Sequence, residues 1–247
     1  MRSLRSILAV IALLAFSQLP LSAADQPSPA DELKRLKGEF DDAQKKFQQS
    51  YSEAKTDAER EKISATYPQP DRYAKQFLTV ADKAPKSDVE RDAMTWILQH
   101  AYYTPEAKKA IERLQANHIK SPDLQPAIQM LAYSQADNAP DFLKAVIKEN
   151  PDKKIQAYAT YNLGYVLISR DEKNRDEAEK LFETVRSDFK DVEPELVKRA
   201  ESELYEIRSL ALGQVAPEIK GKDVDGKEFA LSEYRGKVVV LDFWGDW

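Results

Sequence analysis

From residue 31 to about residue 212 the apolar side chains recur at spacings of three and four positions, which predicts a succession of amphipathic α-helices. Asp31 is predicted to cap the first and longest helix. The predicted buried stripe of this helix is Leu33, Leu36, Phe40, Ala43 and Phe47. Shorter helices follow Pro68 and Pro70, with start signals at Ser87 and Asp88, Thr104 to Glu106, Ser121 to Asp123, Pro140 and Asp141, and Asn174. The pattern therefore predicts an α-helical domain over residues 31–212 that folds by itself, after a polar leader at residues 25–30.

Two packed helices are predicted between residues 157 and 189. Tyr158, Tyr161 and Tyr165 share one face of the first helix. Packing of these rings between helices is the interpretation that the spacing favours. The alternative is a peptide-binding face on a helical domain that has a protein partner.

The same two helices loosely resemble a tetratricopeptide repeat. Small and aromatic side chains stand near the positions that this repeat requires, at Leu163, Gly164, Ala178 and Phe182. Gly164 lies where two helices can approach closely. The loop between the helices is about two residues too long for the usual repeat period. The resemblance predicts a helical-repeat architecture for this domain.

The pattern changes after Leu212, where Gly213 is predicted to end the last helix. Residues 219–222 and 229–231 are predicted as two short strands around an Asp-Gly turn, followed by a brief helical turn at residues 232–234. The run from Val238 to Trp244 is almost continuously apolar, which is typical of a strand buried on both faces of an α/β sheet.

Residues 213–247 resemble the opening of a thioredoxin-like domain of the redoxin class. This class includes exported thiol–disulfide oxidoreductases and the alkyl hydroperoxide reductase/thiol-specific antioxidant proteins. The resemblance is carried by Gly213, Ala216, Pro217, Asp225, Gly226, Leu231, Tyr234, Gly236, Lys237, Val238, Val239, Val240, Asp242, Phe243, Trp244 and Trp247. The predicted fold class is therefore mainly α, a helical-repeat domain followed by the first β elements of a thioredoxin-like α/β domain.

The resemblance also implies roles for individual residues. In this class the position after the second tryptophan is the nucleophilic cysteine of a Cys-x-x-Cys pair, at the start of a helix whose dipole lowers the thiol pKa. Asp242 would assist proton transfer to the resolving thiol, and burial in a complete domain would raise its pKa. A strand-end aspartate that is merely hydrated is the alternative. The residues expected to flank the redox loop are Trp244, Gly245, Asp246 and Trp247, of which Gly245 and Asp246 depart from the small pair more usual there.

The sequence ends at Trp247, one position before the cysteine that the resemblance implies. Two explanations are open. The chain is a fragment of a longer protein, or a UGA codon for selenocysteine has been translated as a stop. In both cases the 247 residues would be catalytically incomplete.

Composition and charge exclude some classes of partner and of binding site. The net charge of −5 and the lack of a basic patch argue against nucleic acid as a partner. The sequence contains no cysteine, which excludes disulfides and thiolate metal sites within it, and its two histidines are predicted to lie on separate helices. No metal or cofactor is therefore predicted.

Residues 1–24 are predicted to be a signal peptide. Arg2 and Arg5 precede an apolar run that is short for a membrane span, and Ser22 and Ala24 are the small residues of a cleavage site before Asp25. The expected location is periplasmic or extracellular, with no membrane contact beyond this segment.

Taken with the redoxin resemblance, the sequence predicts an exported redoxin acting on protein thiols, disulfides or peroxide. The alternative is a non-catalytic helical adaptor that binds peptides or proteins.

Overall fold

The computed structural model describes residues 27–245. Within this range the chain is mainly helical and ends in a small two-stranded antiparallel sheet. The α-helices are α1 Pro29–Glu53, α2 Asp57–Ser64, α3 Pro70–Lys83, α4 Asp88–His100, α5 Pro105–His118, α6 Gln125–Met130, α7 Ala139–Glu149, α8 Lys153–Arg170, α9 Arg175–Asp188 and α10 Pro194–Tyr205. Short 3₁₀ segments lie at Leu131–Tyr133, Glu172–Asn174 and Leu231–Tyr234, and a π-helical turn at Glu206–Leu210 continues α10. The strands are β1 Lys220–Lys222 and β2 Glu228–Ala230.

Helix α1 begins before the predicted cap. Ser28 is the N-cap and its Oγ accepts a hydrogen bond from the Asp31 backbone amide, so the assignment of Asp31 as the cap was wrong. Asp31 lies in the first turn, where its charge favours the positive end of the helix dipole. The predicted stripe is buried at Leu33, Leu36 and Phe40, whereas the end of the helix is more exposed.

Some of the other predicted helix starts were confirmed and others were wrong. Ser87, Thr104 and Asn174 are the N-caps of α4, α5 and α9, as predicted. A helix was predicted to begin at Ser121 to Asp123, but the chain makes a turn there and α6 begins at Gln125. Helix α2 and its capping box at Thr56 were not predicted. Its buried stripe is missing, so hydrophobic periodicity could not reveal it.

Helix α8 is shared by two hydrophobic clusters. Ile155, Ala159 and Leu163 pack with helices α1 and α3–α7, whereas Ala157 and Tyr161 pack with α9 and α10. Both sides of α8 are therefore buried, which is expected of a helix that is apolar around most of its circumference. This central position fixes α8 against α7 on one side and against α9 on the other.

Helices α8 and α9 come very close at Gly164. A Cβ atom at this position would lie 3.0 Å from two ring atoms of Phe182 and 3.4 Å from the carbonyl oxygen of Ala178. The predicted close approach is therefore confirmed. The resemblance to a tetratricopeptide repeat remains a prediction.

A buried carboxylate joins α4 to α5. Glu90 is fully buried and accepts hydrogen bonds from the Lys86 amide at 2.6 Å, Arg113 Nε at 2.5 Å and Asn117 Nδ2 at 2.9 Å. His118 Nε2 lies 3.1 Å from the same carboxylate. Burial by itself would raise the pKa of Glu90, but these donors outweigh it and hold the pKa below its ordinary value.

The predicted signal peptide lies outside the described residues. Among residues 27–245, no helix has both the length and the apolar character needed to cross a membrane.

Candidate functional site

The redoxin-like segment begins with a local β-hairpin. Strands β1 and β2 pair in an antiparallel register that places Gly221 opposite Phe229. In the connecting turn Asp223 Oδ1 accepts hydrogen bonds from the amides of Asp225 and Lys227, and Gly226 adopts a φ of +79°. A positive φ of this size favours glycine because it has no Cβ. The predicted pair of strands around an Asp-Gly turn is confirmed.

Local hydrogen bonds also hold the chain on either side of the hairpin. Glu218 Oε1 accepts from the Ser232 amide at 2.9 Å, and the Leu231 amide donates to the carbonyl oxygen of Ile219 at 2.9 Å. The hydrogen bonds from Ser232 lower the pKa of the exposed Glu218 carboxyl. The predicted helical turn is present as the 3₁₀ segment Leu231–Tyr234. All of these hydrogen bonds join residues between 218 and 232, so this short region is held together by its own residues.

The predicted strand from Val238 to Trp244 is not formed. These residues pair with no strand, and Val238, Val240 and Trp244 are 97%, 89% and 85% exposed. A strand buried on both faces needs a hydrogen-bonded neighbour on each side and covering helices. The described residues supply only the two short strands of the hairpin, which pair with each other.

The predicted redox-site residues are therefore not assembled with one another. Asp242, Trp244 and Gly245 lie in the exposed run, whereas Asp246 and Trp247 are outside the described residues. The roles implied for them depend on burial in a complete domain and remain predictions.

The three tyrosines of α8 have different surroundings. Tyr161 is 4% exposed, and its hydroxyl donates to Glu203 Oε1 at 2.8 Å. Burial, with a smaller contribution from Glu203, raises the pKa of Tyr161 strongly. Tyr158 is half-buried and donates to Glu193 Oε2 at 3.2 Å. Tyr161 thus packs between helices, which is the interpretation that the spacing favoured.

A groove runs between α8 and α10, on the side of α8 where the sequence offered a peptide-binding face as an alternative. Its first part has a volume of about 460 Å³ and is lined by residues that include Tyr133, Tyr161, Asn162 and Arg199. Its second part, of about 350 Å³, continues past Ile168, Glu206 and Leu210. Tyr165 and Glu203 line both parts, so the two form one continuous surface.

The sequence pattern did not indicate Arg199 or Glu206 as residues of a binding site. Both residues stand on the polar side of a helix with an ordinary apolar stripe, where charged residues usually face solvent. Only the position of α10 beside α8 brings them to a groove. Of the residues predicted for a peptide-binding face, Tyr161 and Tyr165 line this groove and Tyr158 is not among its lining residues.

The two histidines lie on α4 and α5, as predicted. His100 packs against the rings of Phe40 and Trp96, and His118 belongs to the Glu90 network. Across residues 27–245, no cluster of three or more His, Cys, Asp or Glu side chains is placed to hold a metal ion.

Part of the chain is similar in sequence to two curated proteins. No protein-family model and no solved structure matches the chain. The thiol-disulfide oxidoreductase ResA of Geobacillus thermodenitrificans (strain NG80-2) is 46% identical over 39 residues, which cover 16% of this chain and 22% of that protein. ResA of Geobacillus kaustophilus (strain HTA426) is 49% identical over 39 residues, with the same shares of both chains. The chain thus spans about a fifth of the length of the curated relatives that it matches, and the similarity supports a thioredoxin-like segment.

Proposed function

We propose that this chain belongs to an exported thiol–disulfide oxidoreductase in which a helical domain precedes a thioredoxin-like domain. The observation that carries the proposal is the identity of nearly half over 39 residues with the two oxidoreductases named above. The redoxin-type string of residues 213–247 and the hairpin that it forms agree with this assignment. Export is proposed from the basic, apolar and small-residue pattern of residues 1–24.

The proposed reaction is the reduction of a protein disulfide. One thiolate of a reactive pair attacks a substrate sulfur, which forms a mixed disulfide and releases one substrate thiol. The second thiol then attacks the mixed disulfide, releases the other substrate thiol and leaves the enzyme pair oxidised, so that two electrons and two protons are transferred. The 247 residues contain no cysteine, so this pair would be supplied by residues beyond Trp247. Asp242 is proposed to assist proton transfer at the second thiol once the domain is complete.

The proposal is tested on the native protein. It is captured from the source cells with antibodies raised against the helical domain, and its intact mass is measured before and after alkylation with iodoacetamide. We expect a polypeptide that begins at Asp25, extends past Trp247 and gains two alkyl groups after reduction. A selenium isotope pattern would assign the first reactive position to selenocysteine, and its absence would assign it to cysteine.

Activity provides the second measurement. The captured protein should reduce insulin disulfides when it is supplied with a dithiol, whereas the recombinant 247-residue chain, which has no thiol, serves as the matched blank. Turnover with a peroxide but not with insulin would assign the peroxidase branch of the redoxin class. A native protein that ends at Trp247 and takes up no alkyl group would overturn the proposal and favour the adaptor alternative. Retention of Met1 in the mature protein would overturn export alone.

A further inference from the structure

The groove between α8 and α10 carries opposite charges at its two ends. Arg199 lines the first part and Glu206 lines the second. They are seven positions apart along a continuous helical stretch, so a rise of about 1.5 Å per residue separates them by roughly 10 Å. The groove therefore has a cation in its first part and an anion in its second, while the Glu203 carboxylate lines both parts and apolar side chains such as Ile168 and Leu210 line the second.

Neither side chain forms an ion pair within the described residues. Arg199 makes no ion pair with residues 27–245, and its guanidinium carbon lies 5.1 Å from the centre of the Tyr161 ring. The nearby Glu203 accepts the Tyr161 hydroxyl instead. The Glu206 side chain forms no ion pair or hydrogen bond with the described part of the chain, whereas Glu172 and Arg175 in the same part of the groove are paired with each other. The two ends are thus available to a charged ligand.

A buried amide lies between these walls. Asn162 is only 4% exposed and lines the groove, and its Nδ2 donates to the Tyr158 carbonyl oxygen at 2.8 Å. Its Oδ1 accepts no hydrogen bond within residues 27–245, yet it is not sealed from solvent. The oxygen therefore keeps an acceptor position that water or a ligand in the groove can reach, and one of them must provide its hydrogen-bond donor. A peptide N–H in the groove would supply that donor.

The rest of the groove provides aromatic surface. Tyr133 is 58% exposed at the mouth of the first part, and its ring is 6.3 Å from that of Tyr102, which in turn contacts Tyr103. Tyr165 stands where the two parts of the groove meet. Exposed tyrosines of this kind are enriched where proteins bind one another, since the ring is apolar and the hydroxyl tolerates water.

We propose that this groove binds a segment of another protein in the polyproline II conformation that carries one acidic and one basic side chain three positions apart. This conformation has three residues per turn and rises about 3.1 Å per residue, so side chains three positions apart lie on one face and span roughly the 10 Å between Arg199 and Glu206. The acidic side chain pairs with Arg199 and the basic one with Glu206. Arg199 is itself exposed, so this end of the groove is open and the ligand runs past it. The proposed acidic group is the side chain of an internal Asp or Glu.

The test selects ligands without assuming a sequence. A phage-displayed library of random dodecapeptides is panned against the full chain and, in parallel, against Arg199→Glu and Glu206→Arg. Lys198→Glu and Glu201→Arg are the matched controls, because each makes the same charge change on α10 at an exposed position that is not among the groove residues. The parent chain should enrich peptides with opposite charges three positions apart. Arg199→Glu should lose the enrichment in acidic residues, and Lys198→Glu should keep it.

Affinity measurements complete the test. Binding of a selected peptide, followed by fluorescence polarisation, should weaken roughly tenfold or more in Arg199→Glu, since like charges then oppose each other. Replacing the acidic residue of the peptide by Lys should restore binding to that variant, which a folding defect could not do. Absence of any enriched pattern, or equal losses in the control variants, would overturn the proposal. So would a change in sedimentation upon charge reversal without peptide binding, because the occupant would then be a second copy of this chain.

Discussion

The backbone of α8 at Gly164 lies directly against the ring of Phe182 on α9. A methyl group at position 164 would stand 3.0 Å from Cε1 and Cζ of that ring, which is closer than side-chain carbons normally approach. The packing of α8 on α9 therefore depends on the absence of a side chain at this one position.

Gly164→Ala is expected to destabilise the helical domain by about 1 kcal/mol, because overpacking costs about 1–3 kcal/mol and the better helix propensity of Ala returns only about 0.5–1 kcal/mol. The free energy of unfolding from urea titrations measures this change. The second substitution Phe182→Leu should recover part of the loss, since a smaller side chain would then face the added methyl group.

Gly38→Ala is the matched control. Gly38 lies on the exposed side of α1 and has no atom within 4 Å of an added Cβ, so only the gain in helix propensity remains. This variant should be more stable by about 0.5–1 kcal/mol. Equal effects of the two substitutions would contradict the close contact at Gly164.

Glu90 is expected to make stability depend on pH in the acidic range. The pKa of its carboxyl is lower in the folded chain than in the unfolded chain, so the stabilisation is fully present above the ordinary pKa and is lost as the pH falls through the folded value. Glu90→Gln should cost about 1–3 kcal/mol at neutral pH, because the neutral amide weakens the charge-assisted hydrogen bond from Arg113, which keeps only its exposed partner Asp82. It should also flatten the stability profile below about pH 4.

The control for this substitution is Glu112→Gln on the exposed side of α5. Glu112 makes no ion pair with the described residues, and a surface change of this kind should alter stability by less than about 0.5 kcal/mol. Denaturant titrations of both variants across the acidic range separate the two expectations. A profile for Glu90→Gln that parallels the unmodified chain would show that the network does not stabilise the fold.

The elements that could be predicted are those determined by residues close together in the sequence. The stripe of Leu36 and Phe40 and the cap at Ser87 were evident because periodicity and capping act over a few residues. The hairpin was predictable for the same reason, since Gly226 is required by its turn. Helix α2 was missed because it buries nothing.

The charged wall of the groove could not be predicted, because it lies far in the sequence from the tyrosines of α8. Arg199 and Asn162 are brought together only by the packing of α8 on α9 and of α10 on both. The strand predicted at Val238 to Trp244 failed for a related reason. Its apolar run specifies burial, but burial needs neighbouring strands that the described residues do not supply.

His100 is expected to titrate below the usual range of a histidine. Burial lowers its pKa, and the charge of Lys37 acts in the same direction while Asp41 opposes it. The neutral form is favoured in the folded chain, so its contribution to stability is present above about pH 6.5 and is lost as the pH falls below that value. Proton NMR of the two histidine rings measures the shift directly.

Two variants test the cause of this shift. His100→Phe keeps an aromatic ring against Trp96 and removes the titration, so it should lose less stability between pH 7 and pH 5 than the unmodified chain. Asp41→Asn removes the charge that raises the pKa, so it should move the His100 titration to still lower pH. A His100 pKa at or above the value of an unfolded peptide would refute both expectations.

The exposed run from Val238 to Trp244 is expected to cause self-association of the 247-residue chain. Val240 and Phe243 are 89% and 81% exposed, and contiguous apolar surface of this kind, in an extended segment with unpaired backbone groups, favours pairing with another chain. Burial of one valine contributes about 1.5–3 kcal/mol, so Val240→Lys should weaken association by at least about tenfold. Sedimentation velocity at increasing concentration gives the dissociation constant.

Val192→Lys is the matched control, because Val192 is an isolated exposed valine between α9 and α10. It should leave association unchanged. Val240→Lys should in turn leave the thermal unfolding of the helices unchanged, since no residue from 211 to 245 is buried. A fragment that ends at Leu212 should then melt like the full chain and remain monomeric. If Val240→Lys instead lowers the melting temperature while association persists, the run is packed on the helical domain in solution. The exposed run would then be a contact of the fold rather than an unpaired strand.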